Sequence, residues 1–385
     1  MTRTVNMQKP HICFVSDSKP TYSLLSGEPS SLVGGAELQQ SIIASALRDL
    51  GYSVTFVVPD CGQPDKVVTD EGITLINARF LLGGIRGLTY LDHVLRLFRA
   101  MKRADADIYY QRIGGLTTGV AALFCKLKRR PFVFSVASNM DLDGTLKIQF
   151  RPHYYITYRY GLKRATLVVV QTEDQLRLLK QTAGRDGILI RSTFSVLDRA
   201  ERQGVRRHVL WVGNLRAVKR PDWLVELAIR LPQYSFVMVG GPKVGEEAMF
   251  DRIRAAAREM PNLRVTGAVP YDEISQYFAE ARVLVNTSSN EGFPNTYLQA
   301  WCRGVPVVGT FDADGLISKY GLGRHCSTIE ELVQAVDEFM KDEVLLASVG
   351  EKAIRYVEEH HSPEAVTAQY DKLFMSLYAT GRNTP

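Results

Sequence analysis

The chain begins the same plan twice, and that repetition narrows what it can fold into more than any other feature. "HICFVSD" (His11–Asp17) is a short apolar run ending in polar residues. A loop, the glycine pair of "VGGAELQQSIIASALRDLGYSVTFVVP", a helix and a second apolar run follow it. From about His208, "HVLWVGNLRAVKRPDWLVELAIRLPQYSFVMVGGP" runs through strand, loop, helix, strand and glycine turn again. Glu37–Leu50 carries apolar residues at helical spacing and Gly51 stops it, whereas the short apolar runs have the length of buried strands. Further strands are expected at "DIYYQ" (from Asp107), "FVFSV" (Phe132), "TLVVVQT" (Thr166) and "ILIR" (Ile188). In the second half "NLRVTGAVP", "ARVLVNTS" and "VPVVGT" supply more, and residues after about Ser327 read as helices. Strands that alternate with helices make a doubly wound parallel α/β sheet. Two Rossmann-like domains facing a cleft are therefore expected, over residues 1–200 and 201–360. A helix at 361–385 is expected to pack back on the N-terminal domain, with the polar stretch Phe194–Arg207 as the linker.

Length and composition agree with this class. A chain of 385 residues usually makes two domains, and 45% hydrophobic with 23% charged residues is ordinary for a globular protein. The apolar run Leu116–Cys125 is about half of the roughly 20 residues that span a bilayer. "MTRTVNMQKP" lacks the apolar core of a signal peptide. The five scattered cysteines, Cys13, Cys61, Cys125, Cys302 and Cys326, favour reduced thiols over a disulfide scaffold or zinc site, so a cytoplasmic location is expected. Charge is uneven. Residues 1–195 hold 25 Lys and Arg against 16 Asp and Glu, the rest 22 against 25, and the whole is +6. A basic half implies an anionic partner. No nucleic-acid recognition motif accompanies it, and an anionic membrane on the inner face of the cell, or a phosphate-bearing acceptor, fits at least as well.

One segment concentrates chemistry. In "TSSNEGFPNTYLQAWCRGVPVV" (Thr287–Val308) a strand ends in polar residues, and Pro294 suits the first turn of a helix. The helix is expected to run through Leu298 and Trp301 and stop at Gly304. The loop therefore lies at the carboxyl end of a strand, where ligands of such sheets bind. Free N–H groups around Asn295, Thr296 and Tyr297 favour an anion, with the acceptors Glu291 and Gln299 to either side. The plainer reading is that Glu291 meets the helix dipole and Gln299 is solvated.

With these pieces in order, nearly the whole chain resembles the retaining GT-B glycosyltransferases of family 4, the "glycosyl transferases group 1" type. Four landmarks carry the resemblance: "GGAE" (Gly34–Glu37), "VGNLRAVKRPD" (Val212–Asp222), "MVGGP" (Met238–Pro242, with Gly240) and "NEGFPNTYLQAWCRGVPVV" (Asn290–Val308). The resemblance implies that Gly34 and Gly35 let the first loop approach the donor phosphates and that Lys219 pairs with the diphosphate. It also implies that Glu291 binds hydroxyls of the transferred sugar and that N–H groups of Phe293, Pro294's neighbour Asn295 and Thr296 take its phosphate. Three departures stand out. Gln299 replaces the second Glu of E-x7-E, and an amide still accepts a ribose hydrogen bond. Asn214 stands where many members carry Arg, with Arg216 placed to take over that contact. Ala137 fills the place of a histidine common after the fourth strand, leaving Arg112, Ser138, Asn139 and Asp141 as acceptor-side candidates beside Gly114.

The implied reaction moves a sugar from a nucleoside-diphosphate sugar to a glycan or lipid-linked acceptor with retention, as in polysaccharide or cell-surface glycan assembly. No metal or other cofactor is expected, because a helix start and basic side chains supply the charge. The D-x-D pairs Asp105/Asp107, Asp141/Asp143 and Asp312/Asp314 arise readily by chance; the first reads as a turn, and the last as a turn or a wall of the donor pocket. "IQFRPHYYITYRYGLKRA" (Ile148–Ala165), with "LRLFRAMKRA" and "KLKRR", reads as an interfacial membrane patch or as a helix packing its Tyr and Ile face on the sheet. His93, His325, His360 and His361 lack ligand spacing and read as surface residues. Two other functions stay open: a nucleotide-sugar epimerase of similar shape, and a non-catalytic subunit that binds a nucleotide sugar or glycan.

Overall fold

The structure, a computed structural model, describes residues 8–28, 33–79, 88–194, 206–243 and 245–382. Most of the stretch read as a linker, residues 195–205, lies outside them. The chain divides into two compact units. The first takes the chain up to Glu28, Ala36–Ile190 and the chain from Glu364; the second takes Arg191–Pro363 together with residues 33–35.

The first unit is built on β1 (His11–Val15), β2 (Ser53–Val58), β3 (Lys66–Val68), β4 (Thr74–Asn77), β5 (Ile108–Arg112), β6 (Phe132–Ser135), β7 (Leu167–Val170) and β8 (Ile188–Leu189). They form one sheet in the order β3-β4-β2-β1-β5-β6-β7-β8. All neighbours are parallel except β3 and β4, which pair antiparallel. The short strands β3 and β4 differ from the sequence expectation. "KVV" and "TLIN" carry too few apolar residues to register as buried runs, and the Thr69–Gly72 turn joins them. β5 shows why both faces must be covered: Tyr109 enters one apolar cluster and Tyr110 the other. Helices Leu88–Ala104, Leu116–Lys128, Pro152–Arg164 and Glu173–Ala183 contribute to the first cluster. Gly35–Asp49 and the last helix, Pro363–Arg382, contribute to the second. In that last helix Val366, Tyr370 and Phe374 recur every four residues, and burying each such side chain stabilises the unit by about 2 kcal/mol. Helices 116–128 and 152–164 cross closely at Gly119, where a Cβ would lie 2.1 Å from the Thr157 carbonyl oxygen.

The second unit holds β9 (His208–Val212), β10 (Ser235–Val239), β11 (Leu263–Val265), β12 (Ala281–Asn286), β13 (Val307–Gly309) and β14 (Gly323–His325), in the order β11-β10-β9-β12-β13-β14, all parallel. β14 is a further strand that sequence reading passed over, three residues long with one fully buried position. In each sheet the winding reverses once: between β1 and β5 in the first, between β9 and β12 in the second. Crevices that take ligands form beyond the carboxyl ends of the strands at such reversals.

Candidate active site

In the second unit, Lys219 follows β9 and Glu291 follows β12, so each comes from one strand of the reversal. Their side chains form an ion pair that is only 18% and 12% exposed. Ser288 donates its hydroxyl to the same Glu291 carboxylate at 2.7 Å. The two loops are laced together beneath the pair. The Ser289 amide donates to the Val218 carbonyl at 2.9 Å, and the Thr287 hydroxyl donates to the Lys219 carbonyl at 2.6 Å while accepting from the Trp211 indole at 3.0 Å. Arg220 adds a third strand end. Its Nε donates to the Thr287 carbonyl at 2.7 Å and its Nη2 to the Thr310 hydroxyl, beyond β13, at 2.8 Å.

The remaining donor-side candidates spread along the same sheet edge. Arg216 heads the short turn Ala217–Lys219, and its buried Nε finds no hydrogen-bond partner among the described residues. Asn214 lies in the loop leaving β9. Gly240, just past β10, has φ 144°, and a Cβ there would come within 1.9 Å of the Gly213 carbonyl oxygen, so its glycine is explained by close packing of the two loops. Pro294 is the residue just before the helix Asn295–Trp301. The helix ends three residues before Gly304, which turns the chain with φ 66°. Phe293 is buried and packs on the His361 ring at 5.1 Å. The Asn295 amide donates to the Gly35 carbonyl at 2.7 Å, and a Cβ at Gly35 would meet that amide at 2.5 Å. Thr296 follows in the first turn. Gln299 is buried, with its amide donating to the Tyr271 hydroxyl at 3.4 Å, rather than solvated.

In the first unit, Asp141 gathers the acceptor-side candidates. Its carboxylate accepts from the amides of Gly114 (3.1 Å), Ala137 (2.7 Å) and Ser138 (3.2 Å). Burial pushes its pKa up and those amides pull against it. The Ser138 hydroxyl oxygen accepts from the Met140 amide at 3.0 Å, and Asn139 shares that turn. Arg112, the last residue of β5, is buried and donates to Ser135 at 3.3 Å. Sequence reading missed Asp17, two residues beyond β1. It accepts from the Thr117 hydroxyl at 3.0 Å across the reversal, and burial raises its pKa. Beside it Ser18 donates to Glu37.

Family models match in both units: a "Glycosyl transferase 4-like domain" over residues 34–191 and "Glycosyl transferases group 1" over residues 206–342. This chain is a group 1 glycosyltransferase. A D-inositol 3-phosphate glycosyltransferase of Corynebacterium aurimucosum is 27% identical over 53% of this chain and 55% of its own, so the match spans about half of that relative. The fold matches a sucrose-phosphate synthase of Thermosynechococcus elongatus (TM-score 0.79, 16% identity, 97% of this chain and 100% of that one). It also matches Anabaena HepE in complex with UDP-glucose (TM-score 0.73, 16% identity, 95% and 100%). Both units of this glycosyltransferase thus take the GT-B type of parallel α/β fold.

Among the other residues of this glycosyltransferase, one member of each acidic pair ties down backbone amides. Asp107 accepts from the His11 amide at 2.9 Å, Asp143 from the Thr145 amide at 2.8 Å, and Asp312 from the amides of Ile317 and Ser318 at 2.7 and 3.1 Å. Two histidines read as surface residues are buried, His93 and His361. His361 holds the Ser192 carbonyl through Nδ1 at 2.6 Å, because the chain entering the second unit is fastened to the end of the helix Glu343–His360. The aromatic, basic stretch from Ile148 is two helices, Thr145–Gln149 and Pro152–Arg164, broken ahead of Pro152. The missed residues Thr287, Ser288, Arg220 and Thr310 had one legible signal, their place at strand ends that the topology makes neighbours.

Proposed function

We propose that this glycosyltransferase transfers a sugar from a nucleoside-diphosphate sugar to a hydroxyl of a glycan or lipid-linked acceptor, with retention of configuration and without a metal, in polysaccharide or cell-surface glycan synthesis. The observation that carries the reading is the largely buried Lys219–Glu291 pair at the reversal of the second sheet. A donor offers both partners something better than each other: anionic phosphate oxygens for the ammonium, sugar hydroxyls for the carboxylate. As the bond from the sugar's anomeric carbon to the diphosphate breaks, charge grows on the leaving oxygen. Lys219, with Arg216 and the amides of Phe293, Asn295 and Thr296, stabilises it, while Glu291 and Ser288 keep the sugar in place. Gln299 is assigned to the ribose. In the first unit, Asp17 and Asp141, with Arg112, Ser138 and Asn139, are assigned to the acceptor's hydroxyl. The Corynebacterium relative's name specifies a phosphorylated acceptor, which suits the basic first half. A thermal-shift screen against nucleoside diphosphates and their sugars tests the donor site. Stabilisation by one base, greater with one sugar, supports it; no shift with any moves weight to a non-catalytic role. Turnover that is unchanged by EDTA supports the metal-free part of the reading, and loss of turnover counts against it.

We also propose peripheral contact with an anionic membrane. No helix among the described residues is long and apolar enough to cross one. The helices 116–128, 145–149 and 152–164 expose Leu127 (65%), Ile148 (87%) and Ile156 (66%) amid Lys126, Lys128, Lys147, Arg159, Lys163 and Arg164, a mixture that suits an interface. Sedimentation with anionic vesicles at low salt and release at high salt is expected; no binding in either condition rejects the contact.

A further inference from the structure

Arg220 holds a backbone conformation that side chains seldom take. Its φ of 44° and ψ of 55° lie in the left-handed region, where glycine sits without strain. Strain of this kind persists only where the surroundings hold it in place, and it concentrates at functional sites. Here the side chain supplies the hold. Its guanidinium lies over the Trp223 ring at 4.1 Å, which leaves its edge to reach the Thr287 carbonyl and the Thr310 hydroxyl at 2.7 and 2.8 Å. Thr310 passes the tie on, donating to the Ser288 carbonyl at 2.9 Å, and Ser288 holds Glu291. Thr287 closes the other side through its bond to the Lys219 carbonyl.

We infer that Arg220 is the positioning residue of the donor site: its clamp on the ends of β12 and β13 fixes Lys219 and Glu291 against each other. The inference rests on the donor-site reading above. The left-handed turn is what lets neighbouring cations part, Lys219 toward the carboxylate and Arg220 toward the strand ends. A glycine at 220 would relax the backbone and forfeit the clamp. A lysine would offer an ammonium in place of the planar fork and keep only part of it. A residue that merely stabilised the fold would lower the melting temperature on substitution and leave ligand affinity unchanged.

The experiment uses the full chain, with UDP, GDP, ADP and dTDP as probes, and measures melting temperature and dissociation constant for the wild type, Arg220→Gly and Arg220→Lys. Arg220→Gly is expected to melt within a few degrees of the wild type and to bind its diphosphate about tenfold more weakly, and Arg220→Lys about threefold more weakly. Thr310→Val, which removes the far end of the clamp and leaves residue 220 untouched, is expected to weaken binding in the same direction. It decides the matter if Arg220→Gly does not fold. Wild-type affinity in Arg220→Gly and Thr310→Val overturns the inference while leaving the donor site standing. A wild-type protein that binds none of the four diphosphates overturns both.

Discussion

The two units wind alike and differ at the place where their winding reverses. Beyond β9 and β12 the second unit sets a cation against an anion, Lys219 with Glu291, on loops laced by backbone and hydroxyl bonds. Beyond β1, β5 and β6 the first unit sets carboxyls, Asp17 and Asp141, whose pKa values burial raises and which hydroxyls and amides satisfy. Topology makes a crevice in each case, and the side chains decide what can enter. Unlike charges suit a ligand that carries a phosphate and hydroxyls together. Buried carboxyls, Asp17 accepting from a hydroxyl and Asp141 from amides, suit the hydroxyl of an acceptor instead.

The contrast breaks most visibly if the Lys219–Glu291 pair takes no part in transfer. Lys219→Ala and Glu291→Ala are each expected to lower transfer by about a hundredfold or more, near 3 kcal/mol, with the fold retained; normal turnover in both removes the site. Adding one methyl to each unit sharpens it. Gly240→Ala meets the Gly213 carbonyl and Gly119→Ala meets the Thr157 carbonyl, and each is expected to cost about 3 kcal/mol in denaturant unfolding. Only Gly240→Ala should also weaken nucleotide binding. The smallest effect is in pH. His361 is fully buried and its pKa is pushed down to about 3 by desolvation. Its unfolded form protonates near 6.5, so the second unit loses stability as pH falls below that value, by at most about 1.4 kcal/mol per pH unit. The carboxyls of the first unit have the opposite sign. Their folded pKa values lie above the usual carboxylate range, so their contribution fades as pH rises through those values. Calorimetry from pH 4 to 8 should show the two transitions moving apart, and His361→Gln should flatten the acid slope of the second.

How much of this was legible in the sequence follows from what each feature depends on. The strands of both halves are runs of apolar residues, so they could be read, as could the landmarks holding Lys219 and Glu291. β3 could not, because an edge strand of three residues carries no apolar run and its antiparallel pairing depends on a turn. The buried state of His361 depends on a chain segment 169 residues away, at Ser192. Arg220 sits in a quoted landmark, yet nothing local shows that it reaches residues after β12 and β13. Asp17 is likewise ordinary until the sheet brings Thr117 beside it.

The most direct test is to titrate UDP and GDP into the wild type, Lys219→Ala and Asp17→Asn by calorimetry. Lys219→Ala weakening the bound diphosphate by tenfold or more, with Asp17→Asn within twofold of the wild type, is the result expected if the second unit's reversal holds the donor and the first unit's does not. Equal loss in both variants, or loss in Asp17→Asn alone, would contradict that division.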